Sequence, residues 1–258
     1  MNAFDISILG PALLAGLLVT ATHVPLGMQV LSRGIVFIDI AIAQIAGVGV
    51  IGADLFGWDH EGYAVQVAAL AAALLGALFL TWTEKRWPEV QEAIIGCVFV
   101  LAATLEILLL AGNPHGGEHL RELLIGQILW VSTSQLFTVA LLSAAICVIW
   151  FSVGAQRVGR IGFYGLFGLA VTASVQMVGI YLVFSTLIIP ALATRNTTSR
   201  RMLKTYAVGG AGYAIGLLVS VASDLPTGAV IVWAMAIVGI VYSCLDKSSA
   251  QTAQTHAR

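Results

Sequence analysis

Long apolar stretches, separated by short polar segments, run along most of the chain. A helix needs about 20 apolar residues to cross the ~30 Å hydrocarbon core of a membrane. The pattern therefore predicts an all-α, polytopic membrane bundle of eight or nine spans. The number stays open because the sixth and seventh stretches are short and glycine-rich. The nine candidate stretches are 8–31, 35–56, 63–82, 93–111, 125–153, 161–176, 178–194, 206–222 and 228–245.

The polar positions are too few to cover a water-facing surface. Hydrophobic residues make up 59% of the chain and charged residues 10%, with a mean hydropathy of +0.95. Soluble domains carry about 25% charged residues. This composition excludes a soluble enzyme, a nucleic-acid-binding domain and a disordered chain. The apolar composition leads us to expect membrane lipid around this protein. The net charge of -1 gives no reason to expect a nucleic-acid partner.

The basic residues predict an orientation. If the N-terminus lies outside and nine spans alternate, 11 of the 12 Lys and Arg residues fall inside and only Arg121 falls outside. Cytoplasmic loops are enriched in Lys and Arg, which favours an outer N-terminus and a cytoplasmic C-terminus. We expect one transmembrane domain over residues 1–246. The tail at 247–258 is rich in Ser, Gln, Thr and Ala and is predicted to be disordered.

Motifs of nucleotide binding and hydrolysis do not occur in this sequence. It contains no G-x-x-x-x-G-K-[ST] phosphate loop and no H-E-x-x-H zinc motif. It also lacks the G-x-S-x-G element of serine hydrolases. We interpret the chain as a transport subunit rather than an enzyme. If ATP drives the transport, a separate subunit must hydrolyse it.

Three ionisable side chains fall inside predicted spans, namely His23, Asp39 and Glu106. Such groups are costly at membrane depth, so each is a functional hypothesis. Asp39 suits cation binding or proton relay, or a structural pairing with a neighbouring helix. Glu106 lies deeper in its span. Gln44 follows Asp39 by five residues and offers only a carbonyl oxygen, which is a poor zinc ligand; we assign it to the path with the two acids.

His23 and two prolines are weaker candidates for a transport path. A neutral imidazole binds zinc and related ions, but a hydrogen-bonded core histidine is the more common arrangement and is favoured here. Pro25 and Pro190 are predicted to break their helices. Freed carbonyl groups at membrane depth must be satisfied by protein or by a water-filled cavity. Both prolines therefore mark candidate path positions.

The predicted outer loop at 113–122 contains a possible metal-binding pair. His115 and His119 are four residues apart with Glu118 between them. Histidines at this spacing share one metal if the segment is helical. The adjacent glycines argue against a rigid site, so an ordinary solvated loop is an equally good interpretation.

Five ordered segments resemble the membrane-spanning permease subunits of zinc/manganese-type ABC importers. An arginine followed six residues later by an aspartate opens the second helix, as Arg33 and Asp39 do here. The segment 178–191 carries the most specific likeness. The five segments are 27–39, 92–96, 119–129, 178–191 and 224–229.

The resemblance implies a homodimer of permeases in a bacterial plasma (inner) membrane. It also implies two cytoplasmic ABC ATPase subunits and a periplasmic or extracellular metal-binding protein. The cargo would be zinc or manganese, moved by alternating access past Asp39. No covalently bound cofactor is implied.

The sequence departs from the family pattern at two places. The family has a histidine four residues after the aspartate, where this chain has Ala43. The cytoplasmic segment before the sixth span keeps its Ala-x-x-x-Gly step at Ala155 and Gly159 but has no acidic residues ahead of it. The resemblance implies that this segment, with Arg157, docks the ATPase; the basic segment 195–204 is a second candidate.

Two other classes of function stay open at this point. One is a secondary transporter or channel for cations that needs no ATPase and relays protons through Asp39 and Glu106. The other is a purely structural membrane subunit.

Overall fold

The structure is a computed structural model that describes residues 6–58, 63–113 and 116–256, and those residues form helices and no strand. Short 3₁₀ turns lie at Pro88–Val90 and Ile128–Trp130. The described α-helices are α1 (Ile6–Arg33), α2 (Ile38–Leu55), α3 (Tyr63–Arg86), α4 (Gln91–Leu110), α5 (Gly116–Ile125), α6 (Thr133–Val153), α7 (Ala155–Val178), α8 (Ile180–Ala193), α9 (Arg201–Ser223) and α10 (Thr227–His256).

Eight helices in the described part of the chain are long and apolar enough to cross a membrane: α1–α4, α6, α7, α9 and α10. The predicted all-α membrane bundle of eight or nine spans is thereby confirmed. The sixth and seventh predicted stretches are separate helices, α7 and α8. Helix α8 has 14 residues, or about 21 Å at 1.5 Å per residue, which is shorter than the hydrocarbon core.

The fifth predicted stretch, 125–153, divides because a helix start lies within it. Ser132 and Gln135 form a capping box: the Ser132 hydroxyl accepts from the Gln135 backbone N–H at 3.2 Å, and the Gln135 side chain accepts from the Ser132 N–H at 3.0 Å. Such reciprocal bonds satisfy N–H groups that a helix start leaves unpaired. Helix α6 therefore begins at Thr133, after the 3₁₀ turn.

The prediction that Pro25 and Pro190 break their helices is wrong. Pro25 lies inside α1 and Pro190 inside α8, and both helices continue past them. Proline removes the hydrogen bond to the carbonyl four residues earlier, which for Pro25 is that of Ala21. The Ala21 carbonyl instead accepts from the Tyr206 hydroxyl at 3.0 Å and faces the Cys147 thiol at 3.7 Å. Protein groups thus replace the lost bond.

Helix α8 lies at the centre of the bundle, although it is the shortest of the strongly apolar helices. Nine of its 14 residues are buried, and it packs against α1, α9 and α10. At its contact with α1, a Cβ on Gly27 would lie 2.0 Å from the Leu187 carbonyl oxygen. Only glycine permits this backbone approach, a common device in membrane helix packing.

The remaining helices differ in how much surface they bury. In the most apolar window of α2, 61% of the residues are buried, whereas the figure for α4 is 22% and for α6 and α10 is 28%. The outer faces of α4, α6 and α10 are apolar, as expected of surfaces in contact with lipid. The α10 backbone continues to His256, past residue 246; the division into a permease domain and a tail stays a prediction.

Candidate functional site

Asp39 lies in the first turn of α2 and is 1% exposed. Neither carboxylate oxygen has a hydrogen-bond partner among the described residues. The nearest stabilising feature is the N-terminus of α2 itself, where unpaired N–H groups carry partial positive charge. A buried carboxylate without a partner is costly. We therefore expect Asp39 to take a ligand or a proton.

A second carboxylate, Glu92, interacts electrostatically with Asp39. It lies in the first turn of α4 and accepts a hydrogen bond from the Phe37 backbone N–H at 3.3 Å through Oε1. Its other oxygen, Oε2, is buried and has no partner in the described part of the chain. Neighbouring carboxylates repel each other unless they share a proton or a cation. A cation bound through oxygen ligands would relieve the repulsion between Asp39 and Glu92.

Glu106 and Gln44 form a separate buried pair between α4 and α2. Glu106 is 1% exposed and Gln44 is 3% exposed. With the amide nitrogen of Gln44 facing the carboxylate, it donates to Oε2 at 2.5 Å and to Oε1 at 3.2 Å. Gly47 makes room for this pair, because a Cβ there would lie 2.1 Å from Glu106 Oε1. The pair joins the two helices by a polar contact inside the membrane.

His23 is fully buried in α1 and binds mostly within its own helix. Its Nδ1 lies 2.9 Å from the Val19 carbonyl oxygen and 3.0 Å from the Thr22 hydroxyl. Since a carbonyl only accepts, Nδ1 carries the proton and Nε2 is the free acceptor. Nε2 has no partner within the described ranges. The favoured hydrogen-bonded core histidine therefore accounts for one ring nitrogen, and the other keeps a lone pair for a ligand.

The structure distributes the predicted path residues over several places. Asp39 contacts none of the others through any described hydrogen bond, and Pro190 lies beside Gly209 of α9. Within residues 6–58, 63–113 and 116–256, no three His, Cys, Asp or Glu side chains form a metal-binding group. The path assignments of Asp39, Gln44, Glu106, His23 and Pro190 stay predictions, as does metal binding by Asp39.

The structure describes only part of the histidine pair predicted in the outer loop. His115 lies outside the described residues. The His119 backbone belongs to α5, but its side chain lies outside what the structure describes. Metal binding by His115 and His119 stays a prediction.

The segment from Ala155 to Gly159 is a single helical turn between two glycine breaks. Gly154 has a φ of 80° and Gly159 a φ of 67°, a left-handed region that glycine enters without steric cost. The N–H groups of Arg157 and Val158 both donate to the Gly154 carbonyl, at 3.0 and 3.1 Å. Arg157 is exposed. An exposed basic side chain suits a contact with another subunit, and docking of an ATPase at Ala155, Arg157 and Gly159 stays a prediction.

Glu92 and Gln91 are the residues whose importance the sequence understates. At the start of an apolar helix, Glu92 is most simply interpreted as a cap. Gln91 is 3% exposed, and its Nε2 donates to the Leu80 carbonyl at 3.0 Å. The available signal was the polar Gln-Glu step before a long apolar run. That step does not show which helices the two side chains reach.

Comparison with known proteins decides the family. The model of the ABC 3 transport family matches residues 5–157 and 152–246. The chain belongs to the ABC 3 transport family. This membership places it among the membrane subunits of ABC transporters and disfavours the ATPase-independent alternatives.

Two relatives can be aligned with most of this chain. The chain is 28% identical over 247 residues to the "Manganese transport system membrane protein MntC" of Halalkalibacterium halodurans, covering 88% of this chain and 83% of that protein. It is 26% identical over 187 residues to a "Probable iron transport system membrane protein" of Haemophilus influenzae, covering 64% and 66%.

Two solved structures share the fold. PsaBC from Streptococcus pneumoniae, solved with a Fab, superposes with a TM-score of 0.74 at 20% identity and covers 90% of each chain. An inward-facing metal-chelate-type ABC transporter superposes with a TM-score of 0.69 at 18% identity, covering 90% of this chain and 84% of that one. At these identities the likeness concerns the fold alone.

Proposed function

We propose that this chain is the translocation subunit of an ATP-driven importer for a divalent metal ion. The chain belongs to a family of transporter subunits. The observation that carries the proposal is the buried carboxylate of Asp39, which has no hydrogen-bond partner in the described part of the chain. A side chain kept in this state is costly to stability. Transient binding of a cation explains why it is retained.

The ligand chemistry favours manganese or iron(II) over zinc as the cargo. Asp39 and Glu92 supply only carboxylate oxygens, and Ala43 occupies the position where a family histidine would supply nitrogen. Zinc sites are rich in nitrogen and sulfur ligands, whereas manganese accepts carboxylates and water. Relatives named for manganese and iron transport agree with this preference. Zinc, the other predicted cargo, would be favoured by a histidine nitrogen at position 43, where this chain has alanine.

The proposal includes partners that supply energy and cargo. Because this sequence contains no phosphate-loop motif, ATP is hydrolysed by a separate ABC ATPase, which docks on the cytoplasmic turn at 155–159. A metal-binding protein delivers the ion from outside. Two copies of the permease enclose the path in a bacterial plasma membrane, each with its N-terminus outside and its C-terminus in the cytoplasm.

Reconstitution tests this function directly. The permease is purified with its ATPase, inserted into liposomes and supplied with the metal-binding protein and radioactive manganese. We expect uptake that needs hydrolysable ATP and that unlabelled iron(II) suppresses more strongly than zinc. Equal uptake with and without ATP would refute an ABC importer.

A single substitution tests the cargo preference. Ala43 lies four residues after Asp39 on α2, so the two side chains share a helix face. Ala43→His supplies the nitrogen ligand that the family carries, and we expect it to raise zinc uptake relative to manganese. Ala43→Leu adds comparable bulk without a ligand and is the control. An unchanged zinc-to-manganese ratio in folded Ala43→His would contradict the ligand argument.

A further inference from the structure

The first turns of α7 after Gly159 contact three other helices through side chains that the proposed function does not yet use. Arg160 Nε lies 3.1 Å from Glu84 Oε2 of α3. The guanidinium of Arg33, at the end of α1, lies 4.3 Å from the centre of the Phe163 ring. The Tyr164 hydroxyl accepts from the Gln91 side chain of α4 at 3.5 Å.

Phe163 is the most deeply buried of the α7 residues that make these contacts. Its side chain is fully buried, and its ring meets those of Trp150, Tyr164 and Phe167 at centroid distances of 5.6 to 6.2 Å. A cation over an aromatic ring that is shielded from water interacts more strongly than an exposed pair. Phe163 therefore holds Arg33, which lies six residues before Asp39.

Tyr164 is linked to the Asp39–Glu92 pair through a second set of contacts. Its partner Gln91 is anchored by α3, where it donates to the Leu80 carbonyl and accepts from the Thr83 hydroxyl, both at 3.0 Å. The next residue, Glu92, binds the Phe37 backbone two residues before Asp39. A displacement of Tyr164 thus acts on the residue beside Glu92.

We propose that Phe163 and Tyr164 are positioning residues that transmit movement of the turn at 155–159 to the Asp39–Glu92 pair. This inference rests on the proposed function, in which that turn contacts the ATPase. The turn lies between Gly154 and Gly159, which both have positive φ, and the helix beyond Gly159 is anchored by the buried Phe163 and Tyr164. Packed interiors shift as units rather than deform. A shift of α7 must therefore carry Arg33 and Gln91 with it.

The test measures how many ATP molecules the full complex hydrolyses for each manganese ion that it imports into liposomes. Phe163→Leu removes the ring below Arg33 but keeps an apolar side chain. We expect it to raise this ratio about three- to tenfold, in line with loss of a buried cation–π contact. The ATPase rate should stay near that of wild type, because its active site lies on another subunit.

Phe167→Leu is the matched control, since Phe167 is equally buried on α7 and packs on the Phe163 ring, whereas the Arg33 guanidinium lies over Phe163. It should leave the ratio close to the wild-type value. Arg33→Gln should raise the ratio as Phe163→Leu does, and the double variant should be no worse than either single one. Such non-additivity identifies residues that act through each other.

Equal ratios for Phe163→Leu and Phe167→Leu, or additive effects of Arg33→Gln and Phe163→Leu, would overturn the transmission role and leave the importer function standing. Failure of the wild-type complex to couple ATP to uptake would overturn the proposed function, and this inference with it.

Discussion

Asp39 and Glu106 are equally buried acids on neighbouring helices, yet their surroundings differ. Each is 1% exposed. Glu106 receives both of its contacts from the amide of Gln44, whereas neither oxygen of Asp39 has a partner among the described residues. An acid that protein groups already satisfy stabilises packing, and an acid without partners is available to bind cargo. We therefore predict a helix-joining role for Glu106 and a cargo-binding role for Asp39.

The largest expected effect is that of Asp39→Asn on transport. Loss of the charged ligand should lower manganese uptake about 100-fold. Thermal stability should not fall, because the neutral amide carries no buried charge. Uptake by reconstituted complexes and unfolding of the purified permease measure the two effects. Glu89→Gln, at an exposed position near α4, is the control, and wild-type uptake by Asp39→Asn would remove Asp39 from the path.

Glu106→Leu should show the opposite combination. It leaves the buried Gln44 amide without a partner, which costs about 1–3 kcal/mol of stability, while uptake per folded molecule stays near wild type. Adding Gln44→Leu should recover much of the loss, because both polar groups are then gone. Denaturation in detergent measures the stability. If Glu106→Gln abolishes uptake in a stable protein, Glu106 belongs to the path together with Asp39.

Gly47→Ala tests whether the Gln44–Glu106 pair needs the space that Gly47 leaves between α2 and α4. The added methyl group would collide with Glu106 Oε1, and overpacking of this kind costs about 1–3 kcal/mol. Gly52 lies on the same helix, and a Cβ there would meet nothing within 4 Å. Gly52→Ala should therefore be neutral or slightly stabilising in the same unfolding assay. Equal stability of the two variants would show that the Gln44–Glu106 contact tolerates separation.

The smallest effect is expected at the outer loop. Deletion of residues 115–119 should weaken the apparent affinity for manganese about two- to fivefold, as expected when a loop only raises the local ion concentration. The maximal uptake rate should persist. Concentration dependence of uptake gives both quantities. Complete loss of transport by a correctly folded deletion variant would place an essential ligand in this loop.

Much of the fold could be predicted because it depends on local composition. Each apolar stretch long enough to span emerged as a helix, with the exception of 125–153, which the capping box at Ser132 and Gln135 divides. The predicted helix breaks at Pro25 and Pro190 failed for a non-local reason. The carbonyl that Pro25 frees is satisfied by Tyr206, a residue of a distant helix that no local rule associates with it.

The candidate site was predictable only in part. Asp39 could be singled out because a carboxylate inside an apolar run is rare and costly. Its proximity to Glu92 could not be predicted, because the Phe37–Glu92 hydrogen bond that links α4 to the start of α2 joins residues 55 positions apart. Such a pairing depends on how helices pack, which local hydropathy does not encode.

The sequence by itself determined the membrane class, the family likeness and the short set of ionisable groups within the bilayer, because a lipid environment penalises each polar residue wherever it occurs. Only the tertiary structure decided which of those groups has a partner. The Gln44 amide reaches Glu106 because Gly47 leaves space between α2 and α4. Asp39 lies at the start of α2, and neither of its carboxylate oxygens has a hydrogen-bond partner in the described part of the chain.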